Sequence, residues 1–431
     1  MLSTTSYRHS FRPLKTCLGA LEGRSWAHSL LRNSPRKARA AQKKVSADIP
    51  SFRDQIARSS KVESFSERMK RPTIRHQVLF FIAGSWLAFS LAATQTQVET
   101  DYWSKRLVEV SNLFNRRPPS NNEMRRVQYL ELGRILQAKV ENLKGKLAEW
   151  PIALKSLVLS AYVGIAQPYL DATEGRRMCW MICGANAAVY LAWKIPRLGP
   201  VMNRSFTHHP LSGLSYTLLT SMFSHKSFIH FLANSMALAS FGSAATHYLV
   251  NEQSKDPEHP PESTGRWHFL AFFLSAGLFS GLVSHTVATK VMYPRIVSQL
   301  ASTATASASS AAAAVGASAK AAASPATRQI LPSLGASGAI YAAVTVSALA
   351  FPDAEITLVF PPFFPIPIQT GVGALVMLDI VGVLRGWRMF DHYAHLGGAA
   401  FGAMYYMYGP SWWNYMRGPP QPPSRKRSFV E

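Results

Sequence analysis

Seven stretches of this chain are apolar over a length near the ~20 residues that the hydrocarbon layer of a bilayer demands. They cover about 77–94 (VLFFIAGSWLAFSLAAT), 178–193, 228–249, 267–287, 337–351, 371–384 and 395–408. A soluble core does not need so many separate runs of that length. In lipid, each must close its backbone hydrogen bonds within itself, which makes every run a helix. The fold class this sets is an all-α polytopic membrane protein. Composition agrees: 48% of the 431 residues are hydrophobic and 16% are charged, against roughly 25% charged in an ordinary soluble domain.

The formal net charge of +23 would suggest nucleic acid in a soluble protein. Its distribution argues otherwise. Residues 1–76 hold 17 Lys/Arg and five acids, about half the excess. That segment is rich in Arg and Ser and has no 7–15-residue apolar core, the pattern of an organellar presequence rather than a secretory signal. It is read as a mitochondrial presequence and basic matrix segment, and no nucleic-acid partner is expected. Loops 194–226 and 288–334 carry four basic residues each and no acid, whereas 250–266 and 352–370 are acidic. The positive-inside rule puts the basic loops and the N-terminus in the matrix, and the acidic loops and C-terminus in the intermembrane space.

The run 77–94 is thus an extra transmembrane helix. Residues 95–177 are read as a charged, amphipathic helical connector, with helical periodicity in LVEVSNLF and VQYLELGRILQAKVENLKGKL, 178–410 as the polytopic core, and 411–431 as a tail. The Ala/Ser run 302–327 is read as a flexible low-complexity loop. Cys17, Cys179 and Cys183 make neither a disulfide framework nor a zinc site.

Polar groups inside spans are expensive, so each marks a functional candidate. Ser337 sits within Gly335-Ala336-Ser337-Gly338 at the start of one span, between residues small enough to leave its hydroxyl exposed. His395 opens the last span and is followed by Gly397, Gly398 and Gly402. A helix face so bare lets the two backbones approach closely and brings His395 within reach of Ser337. His230 and Asn234, four apart after His225, share a face at the entrance to the third span. All of these fall at one depth, near the basic-loop side.

Together they are the parts of an acyl-transfer site. Ser337 is the expected nucleophile and His395 its general base. Asn234, with His230 and the backbone N–H of Ser337, is expected to hold the oxyanion, where such donors are worth about 3–4 kcal/mol each. Tyr341, one turn below Ser337, is placed to orient the imidazole. No third acid is expected, since Asp379 should lie well down from the end carrying His395. Four histidines, His208, His209, His225 and His230, could suggest a metal, but no metal or cofactor is expected.

With those residues in hand, the chain resembles the rhomboid family of intramembrane serine proteases. The carriers are GASG (335–338), His395 with its Gly-rich turn, and the His225, His230, Asn234 pattern. FPDAEITLVFPPFFPI (351–366) and LDIVGVLRGWRMFDHYAHLGGAAFG (378–402) are similar to the mitochondrial, presenilin-associated rhomboid-like branch. The resemblance implies a six-helix bundle around a water-filled cavity with one additional N-terminal helix, a 1+6 arrangement. It implies an inner-membrane endopeptidase acting on single-span membrane proteins in contact with inner-membrane lipid. Substrates in that branch include a dynamin-like fusion GTPase, cytochrome c peroxidase and proteins of mitophagy signalling. The alternative is a catalytically inactive rhomboid-like scaffold, in which the serine or histidine is usually lost. The sequence sets no oligomeric state. A transporter would show inverted repeats, and none is found.

Overall fold

A computed structural model describes residues 72–110, 119–256, 258–313, 329–357 and 364–418. The presequence reading, up to residue 71, and most of the tail lie outside the described residues. The described chain belongs to one unit, Phe65–Glu431, and is almost wholly helical.

In chain order the helices are α1 Arg75–Val110, α2 Asn121–Lys146, α3 Ile152–Asp171, α4 Glu174–Trp193, α5 Gly199–Ser205 and the four-residue α6 Thr217–Thr220. Next come α7 Phe228–Ala237 and α8 Ser243–Lys255, joined through a π-turn at Leu238–Gly242. Then α9 Arg266–Val287 runs through a second π-turn, Ala288–Met292, into α10 Tyr293–Ala313. The last described helices are α11 Ser337–Ala350, α12 Ile368–Arg385 and α13 His392–Arg417. Between α11 and α12, two-residue strands β1 Glu355–Ile356 and β2 Ile366–Pro367 pair antiparallel, with Glu355 opposite Pro367.

Among the described residues, four stretches are long and apolar enough to cross a membrane: α1, Phe228–Lys255, Arg266–Thr303 and α12. A fifth counts if α4 and the helix bent from it at Pro196–Ser205 are one broken span. The apolar helix α11 has only 14 residues. Two expectations need correcting. The Ala/Ser run begins as helix, because α10 continues to Ala313. Its alanines, the best helix formers, outweigh the interspersed Ser and Thr there. The connector 95–177 is also not uniformly charged. It comprises the end of α1, the charged α2, and α3, an apolar helix with no buried residue.

The centre of the bundle is α11. Ala342, Ala343 and Val346 on it have no exposed surface, and it packs most closely on α13. Small residues set that distance. A Cβ on Gly398 would sit 2.0 Å from the Gly338 carbonyl oxygen, and one on Gly402 2.5 Å from that of Ala342. Backbone meets backbone here, as small-residue seams allow.

At the opposite end, α1 is tied to the bundle by polar contacts. Glu99 pairs with Arg266 and accepts from Trp267 Nε1 at 2.9 Å. The fully buried Glu262 accepts from Trp413 Nε1 at 3.1 Å and lies 3.5 Å from Arg417 Nη1. Its backbone carbonyl accepts from Arg125 of α2 at 3.1 Å. Burial pushes the Glu262 carboxyl up, and Arg417 and Trp413 act against that shift.

Candidate active site

The site is built where α11 and α13 begin and α12 ends. Gly335 takes φ +125°, a conformation that side chains disfavour, and its N–H donates to the Ser221 carbonyl at 2.9 Å. The chain can then turn straight into α11 with Ser337 as its first residue. The N–H groups of a helix's first turn have no intrahelical acceptor, so those around Ser337 remain available for an oxygen. Asp391 caps α13, its side chain accepting from Ala394 N at 3.1 Å and from Ser284 Oγ at 2.6 Å. That fixes the turn from which His395 projects.

His395 Nε2 lies 2.8 Å from Ser337 Oγ. His395 is 8% exposed and Ser337 half-buried. The Tyr341 ring stacks on the imidazole, 4.4 Å between centroids and 11° between planes. On its other side the imidazole is held by a carboxylate, because Nδ1 stands 3.1 Å from Asp379 Oδ1. This corrects the expectation that no acid reaches it. Asp379 is six residues from the end of α12 and His395 three into α13, about 9 Å and 4.5 Å of helix rise respectively. The two side chains span that difference. With Nδ1–H donating to Asp379, Nε2 is left as the acceptor for the serine hydroxyl.

A second histidine was missed by sequence reasoning. His392 Nδ1 lies 2.5 Å from the same Asp379 oxygen, and its ring packs over Gly382, where a Cβ would come within 2.4 Å. The signal was present: His392 and His395 are an i, i+3 pair on one face.

The other expected residues line the approach. The His230 ring lies against Gly335, its Cε1 2.8 Å from where a Cβ would stand. His225, with no exposed surface, accepts weakly from Ala336 N at 3.4 Å and meets His230 edge-on with centroids 5.0 Å apart. Burial lowers His225 to about 4, helped by the neighbouring His230, so it is a neutral acceptor. Asn234 is buried one turn below His230, and its amide donates to the His230 carbonyl at 2.8 Å. No hydrogen bond joins Asn234 to Ser337 among the described residues. His208 turns away from this group, to Thr217 at 2.8 Å and His285 at 3.0 Å. Among the described residues no group of three His, Cys, Asp or Glu is arranged to hold a metal.

Ser337 and His395 open on a cavity of about 960 Å³. Its walls combine apolar residues such as Met222, Ile229 and Met292 with His230, Gly335 and Asp391. Its size is at the upper end of ordinary ligand pockets.

A helical bundle of apolar spans, with a Ser–His pair at the mouth of such a cavity, fits the rhomboid fold. Residues 213–411 match the Rhomboid domain. The chain is 31% identical over 287 residues to the mitochondrial presenilin-associated rhomboid-like protein of Mus musculus, covering 62% of this chain and 63% of that protein. The Homo sapiens counterpart is 30% identical, with 62% of each chain covered. Rhomboid protein 1, mitochondrial, of Saccharomyces cerevisiae is 26% identical over 70% of this chain and 75% of its own. The chain thus spans less than two thirds of the length of the mammalian relatives.

Proposed function

We propose that this protein is an intramembrane serine endopeptidase of the mitochondrial inner membrane, which cuts single-span membrane proteins. The observation that carries the reading is the 2.8 Å contact between His395 Nε2 and Ser337 Oγ, with Asp379 behind the imidazole.

Ser337 Oγ attacks the scissile carbonyl carbon while His395 Nε2 takes the hydroxyl proton. The tetrahedral oxyanion is met by the free N–H groups at the start of α11, with Asn234 and His230 alongside. The C–N bond breaks, the amine leaves with the proton from His395, and an acyl ester on Ser337 remains. Water entering through the cavity attacks that ester, giving its proton to His395; the C–O bond to Ser337 then breaks, Ser337 Oγ takes that proton back, and the new carboxyl end leaves. Asp379 accepts from His395 Nδ1–H, fixing the tautomer and stabilising the imidazolium as it forms. The presequence, the 1+6 arrangement and the matrix-side placement of the basic loops complete this reading. Fusion GTPase, cytochrome c peroxidase and mitophagy-type substrates are its natural candidates.

The test is cleavage of a reporter with one Gly-containing transmembrane segment by the purified full chain in detergent. Ser337→Ala and His395→Ala, both folded, should each abolish cutting. Equal cleavage by all three proteins, or none by wild type across several reporters, would favour the inactive scaffold.

A further inference from the structure

The cavity described above has a rim whose charge the proteolytic chemistry does not use. Three guanidinium groups line it: Arg295 on α10, Arg385 in the last turn of α12, and Arg388 in the turn before α13. All three side chains are exposed. One carboxylate, Asp391, shares the lining, and both its oxygens are already engaged, by Ala394 N and Ser284 Oγ. No ion pair joins any of the three arginines to an acid among the described residues.

The geometry gathers these charges rather than scattering them. α12 ends in a left-handed Gly386, with Trp387 N returning to the Gly382 carbonyl at 2.8 Å. That tight stop places Arg385 and Arg388 on the same short turn. Arg388 then donates to the Gln329 carbonyl at 2.7 Å, linking this turn to the segment that leads into Gly335 and Ser337. One N–H of Arg388 is spent on that structural tie. Among the described residues, no acceptor meets its remaining donors or those of the Arg295 and Arg385 guanidiniums.

We propose that this rim selects the substrate: the protein prefers membrane segments that carry acidic residues just outside the lipid on the catalytic side. The inference rests on the proteolytic reading for its meaning, but it concerns binding and is tested as binding. The apolar wall accommodates the unwinding membrane segment. The arginines meet the carboxylates that follow it, in the bidentate manner guanidinium allows. Exposed pairs contribute modestly and are screened by salt, so the effect is discrimination rather than tight capture.

The experiment uses three reporters that differ only in bearing two Asp, two Asn or two Lys at the catalytic-side end of the transmembrane segment. Binding to the full-length Ser337→Ala protein is measured in a neutral detergent, and cleavage by wild type in parallel. The acidic reporter should bind about five-fold more tightly than the neutral one, the equivalent of about 1 kcal/mol. The lysine reporter should bind more weakly than both. Adding Arg295→Gln and Arg385→Gln to that protein, which leaves the Arg388–Gln329 tie intact, should cut the difference to less than two-fold without changing the melting temperature. Raising the salt should shrink it. Equal binding of all three reporters overturns the proposal, whether or not wild type cuts them. An arginine effect that appears only after anionic lipid is added, and ignores reporter charge, makes the rim a lipid-headgroup site and also overturns it. Charge-selective binding with no cleavage by wild type would sustain the rim and remove the protease.

Discussion

Asp379 Oδ1 lies 3.1 Å from His395 Nδ1. The same oxygen is 2.5 Å from His392 Nδ1, so one buried carboxylate holds two imidazoles of a single helix face. His395 is therefore fixed from behind by Asp379 and from the side by the stacked Tyr341 ring.

Replacing that carboxylate should damage turnover more than binding. In Asp379→Asn an amide can present either its oxygen or its NH₂ to Nδ1, so the tautomer that leaves Nε2 free is no longer enforced. Tyr341 stacking still holds the ring plane. The expected loss in kcat is on the order of 10²-fold, within the range of general-base contributions, with KM within about two-fold. Steady-state kinetics on the detergent-purified variant, with its melting temperature, check this. A proportional fall in protein stability with unchanged kcat per folded molecule would make Asp379 purely structural.

The seam between α11 and α13 should tolerate no added atom. A Cβ at Gly398 would stand 2.0 Å from the Gly338 carbonyl oxygen, which is backbone and cannot rotate away. Gly398→Ala must push α13 off α11, widening the Ser337–His395 contact. Overpacking of this kind costs about 1–3 kcal/mol or more, and the activity loss should exceed what the stability loss explains. Gly373→Ala, on α12 with no atom within 4 Å of its new Cβ, is the control. Thermal unfolding and reporter cleavage, measured together, separate the two.

The loop histidine His225 gives the fold an acid limit. Its folded pKa, lowered from 6.5 to about 4 by burial, means that the folded state resists the proton the unfolded chain accepts. Stability from this residue is therefore present above 6.5 and is lost as the pH falls toward 4. At 1.36 kcal/mol per unit, about 2 kcal/mol should disappear between pH 6.5 and about 5. His225→Gln, which keeps an acceptor for Ala336 N, should flatten that part of the melting-temperature profile. An unchanged slope in the variant would assign the acid loss to other groups, His208 first, which burial lowers to about 3.

Much of this arrangement was legible in the sequence. Ser337 and His395 each stand among residues too small to do anything but let helices close, and closing brings the two together. Asp379 was missed because depth was counted along helices and the reach of two side chains was left out. His392 stands an i, i+3 step from His395, and that spacing alone does not show that both rings reach one carboxylate. Glu262 was counted as one charge of an acidic loop, a topological signal. Its burial depends on Arg417 and Trp413, more than 150 residues away, and no local pattern carries that. For α3, apolar periodicity alone does not say what an unburied helix packs against.

That distant pairing yields the last prediction. Arg417 is buried with Glu262 and also donates to the Pro260 and Pro261 carbonyls at 3.0 and 2.7 Å. Arg417→Met would leave the Glu262 carboxylate buried without its cation, at a cost of about 3–5 kcal/mol. Since the Glu262 carbonyl also accepts from Arg125 and its N–H donates to Asn121 Oδ1, both on α2, the damage should spread to the packing of α1 and α2 on the bundle. Glu262→Gln removes the charge but keeps an acceptor for Trp413 Nε1, and should be milder. Because the charge left behind is the larger part of the penalty, the double variant should be more stable than Arg417→Met alone. Melting temperatures of the four proteins in one detergent close this double-mutant cycle. Additive losses would show that the two residues act separately.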